Sequence, residues 1–89
     1  MIEIETLQQR LREFADERDW EKYHSPKNLV MALSVEVAEL QEHFQWLTAE
    51  ESLALDEETR DAVALEMADV LIYLVRMADR CGVELADAV

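Results

Sequence analysis

Glycine, proline and cysteine each occur once in these 89 residues. So few turn-formers, with sparse β-branched residues, exclude a chain of strands and tight turns, and helix is expected almost throughout. The lone Cys81 excludes an internal disulfide and fits an intracellular setting. No apolar run reaches the ~20 residues that span a bilayer, and Met1-Ile2-Glu3-Ile4-Glu5 lacks the basic start of an export signal. A cytoplasmic protein is expected. Bases are scarce as well: eight Lys and Arg stand against 21 Asp and Glu, a net charge of −13. That balance excludes a nucleic-acid backbone or an anionic membrane as partner, since both are met by basic patches.

What is abundant is apolar side chain, at 51% of the residues. A domain this small buries only about 60–65% of the surface its unfolded chain exposes. The surplus predicts burial against a second copy. No repeat, low-complexity stretch or boundary divides the chain, so one all-α domain over 1–89 is expected. Thr6-x-x-Gln9 reads as a capping box for a first helix from about Leu7 to Arg18. A short connection carrying Trp20 and Tyr23 follows. Ser25-Pro26 starts a second helix, expected to run to about Leu47. Thr48-x-x-Glu51 caps one short turn, Asp56 caps a third helix over 57–81, and Gly82 ends it. Residues 87–89 read as the start of a further element. Met31, Met67, Met77 and Cys81 fall among apolar neighbours and are read as core.

Residues three or four apart share a helix face. On the second helix Leu33, Val37, Leu40, Phe44 and Leu47 form an apolar stripe, with Ser34, Gln41 and Gln45 toward solvent. Glu36, Glu39, His43 and Trp46 form a third stripe on the far side of the core from solvent, flanked by Met31, Ala32 and Val35. The third helix repeats the pattern: Glu66, Asp69, Tyr73, Arg76 and Arg80 run beside a wide apolar face of Val63, Met67, Val70, Leu71, Leu74 and Met77. Burying an unpaired carboxylate costs several kcal/mol or raises its pKa, and four together also repel. A hard divalent cation relieves both penalties, and an all-carboxylate set suits Mg²⁺, or Mn²⁺ in its place, better than Zn²⁺. A di-iron bundle would want Glu-x-x-His on its helices, and on the second helix His43 stands four residues after Glu39 instead.

Glu36-x-x-Glu39, 26 residues, then Glu66-x-x-Asp69 resembles the signature of the MazG-like all-α nucleoside triphosphate pyrophosphohydrolases. Phe14-Ala-Asp-Glu-Arg-Asp-Trp20, His24-Ser-Pro-Lys-Asn28, Phe44-Gln-Trp46 and Glu66-Met-Ala-Asp-Val-Leu-Ile-Tyr73 are similar to its dCTP pyrophosphatase branch. The resemblance covers about Leu7 to Asp87. It implies a helical hairpin-type protomer that forms a four-helix-bundle-like dimer, or a dimer of dimers. It implies cleavage of a (deoxy)nucleoside triphosphate between the α and β phosphates, with Mg²⁺ on Glu36, Glu39, Glu66 and Asp69. It also implies that Trp20, Trp46 and Tyr73 line the base and sugar pocket, with His24, Lys27 and Asn28 near the substrate. The branch carries a basic stretch after the position of Val89. Within these residues phosphate contacts fall to the metal, Lys27 and Arg80.

On chemical grounds a ligating carboxylate can take the proton of the attacking water. Glu36 and Glu39 are both candidates. Arg76 is read as a solvated end of the third helix. The alternative from another class is a non-catalytic helical dimerisation or nucleotide-sensing module, in which Glu39→Gln would change nothing.

Overall fold

The computed structural model describes residues 2–89; the Met1 part of the export-signal reading lies outside them. Helix α1 spans Ile4–Glu17, a 3₁₀ turn Glu21–Tyr23, α2 Pro26–Glu42, α3 Ala49–Ser52, α4 Glu57–Cys81 and α5 Leu85–Ala88. No strand occurs among the described residues. Helices α2 and α4 form the main packed pair, and α1 lies against α4.

Short-range chemistry sets most boundaries. Ser25 Oγ accepts from the Asn28 amide, with Pro26 at the first helical position of α2. Thr48 and Glu51 complete a reciprocal capping box on α3. Asp56 accepts from the Thr59 amide at 2.7 Å to begin α4, and Gly82, at φ 69°, ends it. Helix α1 starts earlier than expected, at Ile4 after Glu3, which gives no side-chain cap. Thr6 therefore lies inside the first turn and caps nothing.

The expected reach of α2 to Leu47 is corrected: regular helix stops at Glu42. Residues 43–46 are turns, and Thr48 is extended (ψ 165°) as the cap of α3. Tighter bonds, from Phe44 N to Gln41 O and from Leu47 N to Phe44 O, cover the exit.

At the end of α1, Asp19 is the one non-glycine with positive φ, 54°, among the described residues. Asp tolerates this left-handed state better than most residues. The Asp19 amide bonds Asp16 O and the Trp20 amide bonds Ala15 O, a Schellman closure. This reversal brings Trp20 back against α1.

Ala15, Leu29, Val63, Val75 and Ala78 are buried, and so is Arg76, at 3% exposure. The reading of Met31, Met67 and Cys81 as core is corrected. Met31 and Met67 are more than half exposed, and Cys81 is exposed too. Two packed helices can cover only one apolar face each, and α2 and α4 carry more. Val30, Val35, Val37, Leu65, Leu71 and Leu74 are exposed with them. No described helix is long and apolar enough to cross a membrane.

Candidate active site

Midway along the α2–α4 pair, one carboxylate oxygen each from Glu36, Glu39 and Glu66 lies within 4.8 Å of the others. Glu36 and Glu66 are half-buried and Glu39 is exposed. The Oε2 atoms of Glu36 and Glu66 are enclosed and have no hydrogen-bond partner. Among the described residues no Lys, Arg or His pairs with any of the three. Asp69 is exposed and outside this trio, one turn beyond Glu66 on α4. It still lies near enough to act on Glu36. Desolvation, then repulsion from Glu39 and Asp69, pushes the Glu36 carboxyl up to about 7.

Enclosed carboxylate oxygens with no donor, in an acid cluster without a base, fit a hard divalent cation. Glu36, Glu39 and Glu66 would hold it, with Asp69 adjoining. The expectation that all four acids lie in apolar surroundings is corrected: Glu36 and Glu66 are half-buried, but not the other two. Glu39 and Asp69 face outward.

Further along α4, Tyr73 and Arg76 enter a pocket of about 340 Å³ with Leu11, Phe14, Ala15, Trp20, His24, Leu29 and Ile72. Tyr73 is one turn past Asp69, about 6 Å of helix rise, so α4 carries both acids and pocket wall. The lining is apolar except for His24, Tyr73 and Arg76. The Phe14 and Trp20 rings meet edge-on at 5.4 Å, and Trp20 and His24 are tilted at 5.9 Å. The Arg18 guanidinium lies 3.4 Å over the Phe14 ring.

Of the expected substrate-side residues, Trp20, His24 and Tyr73 come together here. Trp46 does not: it lies in the turns after α2, 87% exposed and outside the pocket. Lys27 is exposed at the start of α2 and has no ion pair among the described residues. Asn28 donates from Nδ2 to Tyr23 O at 3.1 Å, tying α2 to the 3₁₀ turn. Arg80 donates to His24 O and to Glu21 Oε1, at 3.0 and 3.1 Å.

Arg76 is the residue that sequence reasoning misplaced. It is buried, not a solvated helix end. Its Nε donates to His24 Nδ1 at 3.1 Å and its Nη1 to Asp79 Oδ2 at 3.1 Å. Asp79 also accepts from Arg12 of α1 through both oxygens. The signal was in the stripe, because Arg76 sits three residues after Tyr73 and four before Arg80. Phe14, given no site role in the sequence reading, is likewise a pocket wall.

The MazG-like family profile matches residues 31–89. The chain is 49% identical over 88 residues to human dCTP pyrophosphatase 1 and 48% identical to the bovine protein. Each alignment covers 97% of this chain and 52% of the relative, so the chain spans about half the length of the curated relatives it matches. A crystal structure of a pyrophosphatase from Archaeoglobus fulgidus superposes with a TM-score of 0.89 at 44% identity, over 99% of this chain and 82% of that one. The acid pairs on α2 and α4, the aromatic pocket beside them and these matches together show that the chain belongs to the MazG-like family.

Proposed function

We propose that this chain is the catalytic domain of a Mg²⁺-dependent nucleoside triphosphate pyrophosphohydrolase that acts in the cytoplasm. It converts a deoxynucleoside triphosphate and water to the monophosphate and pyrophosphate, with dCTP-like substrates favoured. The observation that carries the reading is the pair of enclosed, unpartnered oxygens on Glu36 and Glu66, facing Glu39 in a cluster without a base. The names of the relatives, dCTP pyrophosphatase 1 and pyrophosphatase, support it.

In this reading Glu36, Glu39, Glu66 and Asp69 hold the cation, and Mn²⁺ can replace Mg²⁺. A bound cation supplies charge neutralisation for the phosphates and a lowered pKa for the attacking water. Glu36 or Glu39 accepts the proton of that water. The base enters the pocket against Trp20 and Tyr73, where stacking on an aromatic face is worth about 1–3 kcal/mol. His24 and Asn28 bound the sugar side, while Lys27 and Arg80 lie toward the phosphates. The exposed Val30, Met31, Val35, Leu65 and Met67 are covered by a second copy, in a dimer or tetramer. Trp46, solvent-exposed in the single chain, completes the pocket across that interface.

Incubation with each of the four dNTPs and Mg²⁺, read by product identity, tests this. Monophosphate and pyrophosphate, fastest from dCTP, are expected. Absence of both from every dNTP would overturn the reading in favour of a non-catalytic module.

A further inference from the structure

Arg76 is a charge in an apolar place. It is 3% exposed on α4 and lines the pocket. A buried guanidinium is costly unless its donors are used. Asp79 takes one, but Asp79 is already gripped by both arms of Arg12. The Nε donor goes to a ring nitrogen of a second pocket residue, His24. Nη2 lies 3.5 Å from Glu21 Oε1 but makes no hydrogen bond.

The chemistry of that Nε contact is one-directional. Arginine in a protein only donates, so His24 Nδ1 must accept and carry no hydrogen. A neutral imidazole has one N–H, which is then on Nε2. Protonation of Nδ1 would break the bond to Arg76 and set two cations side by side. Burial first, then Arg76 and Arg80, hold His24 below the ordinary histidine range, against Glu21. The ring is thus kept neutral, with its spare nitrogen a fixed donor.

We propose that Arg76 is a positioning residue for base recognition: it locks His24 in the Nε2–H tautomer, so that the pocket offers a donor and takes a nucleobase presenting an acceptor, a ring carbonyl oxygen or an unprotonated ring nitrogen. This rests on the reading that the pocket holds the base. Apolar lining and aromatic stacking recognise a ring by shape; a fixed donor adds a requirement on its edge. Arg76 touches no substrate in this role and acts through His24.

The test combines nitrogen NMR of histidine-labelled full chain with steady-state kinetics on dCTP. The wild-type His24 ring should show Nδ1 unprotonated and Nε2 protonated at neutral pH, and titrate below an ordinary histidine. In Arg76→Met, Asp79 keeps Arg12 and Glu21 keeps Arg80, so no acid is stranded. There His24 should become a tautomer mixture with a raised midpoint. KM should rise about tenfold, the worth of one hydrogen bond, with kcat falling less than KM rises. Arg76→Lys keeps the charge and loses the fork, and should resemble Arg76→Met in KM and tautomer. A wild-type ring protonated on Nδ1, an unchanged tautomer in both variants, or an unchanged KM would overturn the proposal. The wild-type spectrum decides the tautomer even if a variant fails to fold. If the wild type turns over no dNTP, the functional reading fails and base recognition with it, while the spectrum separately decides whether Arg76 sets the His24 tautomer.

Discussion

Helix α4 carries two ionic regions a few turns apart, and they are built on opposite rules. Around Glu66, acids from α2 and α4 face one another with no base, and two of their oxygens are enclosed without a partner. Around Arg76, three arginines, two acids and a histidine interlock: Arg12 with Asp79, Asp79 with Arg76, Arg76 with His24, Arg80 with Glu21. The second region has its counter-charges within the chain. The first does not, and in the proposed function a bound cation supplies the missing charge. The contrast separates a structural network from a ligand site more sharply than charge density does, since both are dense.

The largest expected effect breaks the first region. Glu36→Gln should lower turnover by at least about a hundredfold, as loss of a metal ligand does, while raising the melting temperature of the metal-free protein at neutral pH. The sign follows from linkage. Glu36 sits at about 7 in the fold, above its ordinary 4.5. Between those values the native state holds the extra proton, so metal-free stability falls as pH rises from about 4.5 to 7. Glu36→Gln should remove that fall, as should saturating Mg²⁺. Thermal melts from pH 5 to 8, with and without Mg²⁺, check it.

The matching change in the second region should have the opposite sign. Asp79→Asn leaves the buried Arg76 without its nearest acid and should destabilise by about 2 kcal/mol, below the 3–5 of a fully buried pair because Arg12 is half exposed. Asp79 is held below the ordinary carboxylate range, chiefly by its hydrogen bond from Arg12. Its contribution is therefore present above that range and lost as pH falls through the folded value. Urea unfolding at pH 7 and pH 3 should show the variant and wild type converging at the lower pH.

The smallest effect lies at the pocket rim. Arg18→Ala removes the cation from the Phe14 face and should cost about 0.5–1 kcal/mol, with dCTP KM shifting little, as Arg18 is not a lining residue.

How much of this is legible in sequence follows from the range of each interaction. Ser25, Thr48, Asp56 and Gly82 set helix ends through bonds three or four residues long, and a linear reading finds them. The end of α2 is not legible this way, because the apolar pattern continues through Phe44 and Leu47 while the backbone has already tightened into turns from His43. The acid pairs were legible because both stripes lie beside apolar faces. Exposure of Met31 and Met67 was not, since periodicity marks a face as apolar without saying how many partners cover it. Arg76 was missed because its burial depends on Asp79, Arg12 and His24, two of them more than 50 residues away in sequence.

Titration of the metal-free protein with Mn²⁺, followed by electron paramagnetic resonance, bears most directly on the unpaired acids. Saturable binding at pH 7.5, abolished in Glu66→Gln and intact in Asp79→Asn, is predicted. Absence of binding, or binding that survives Glu66→Gln, would contradict the account.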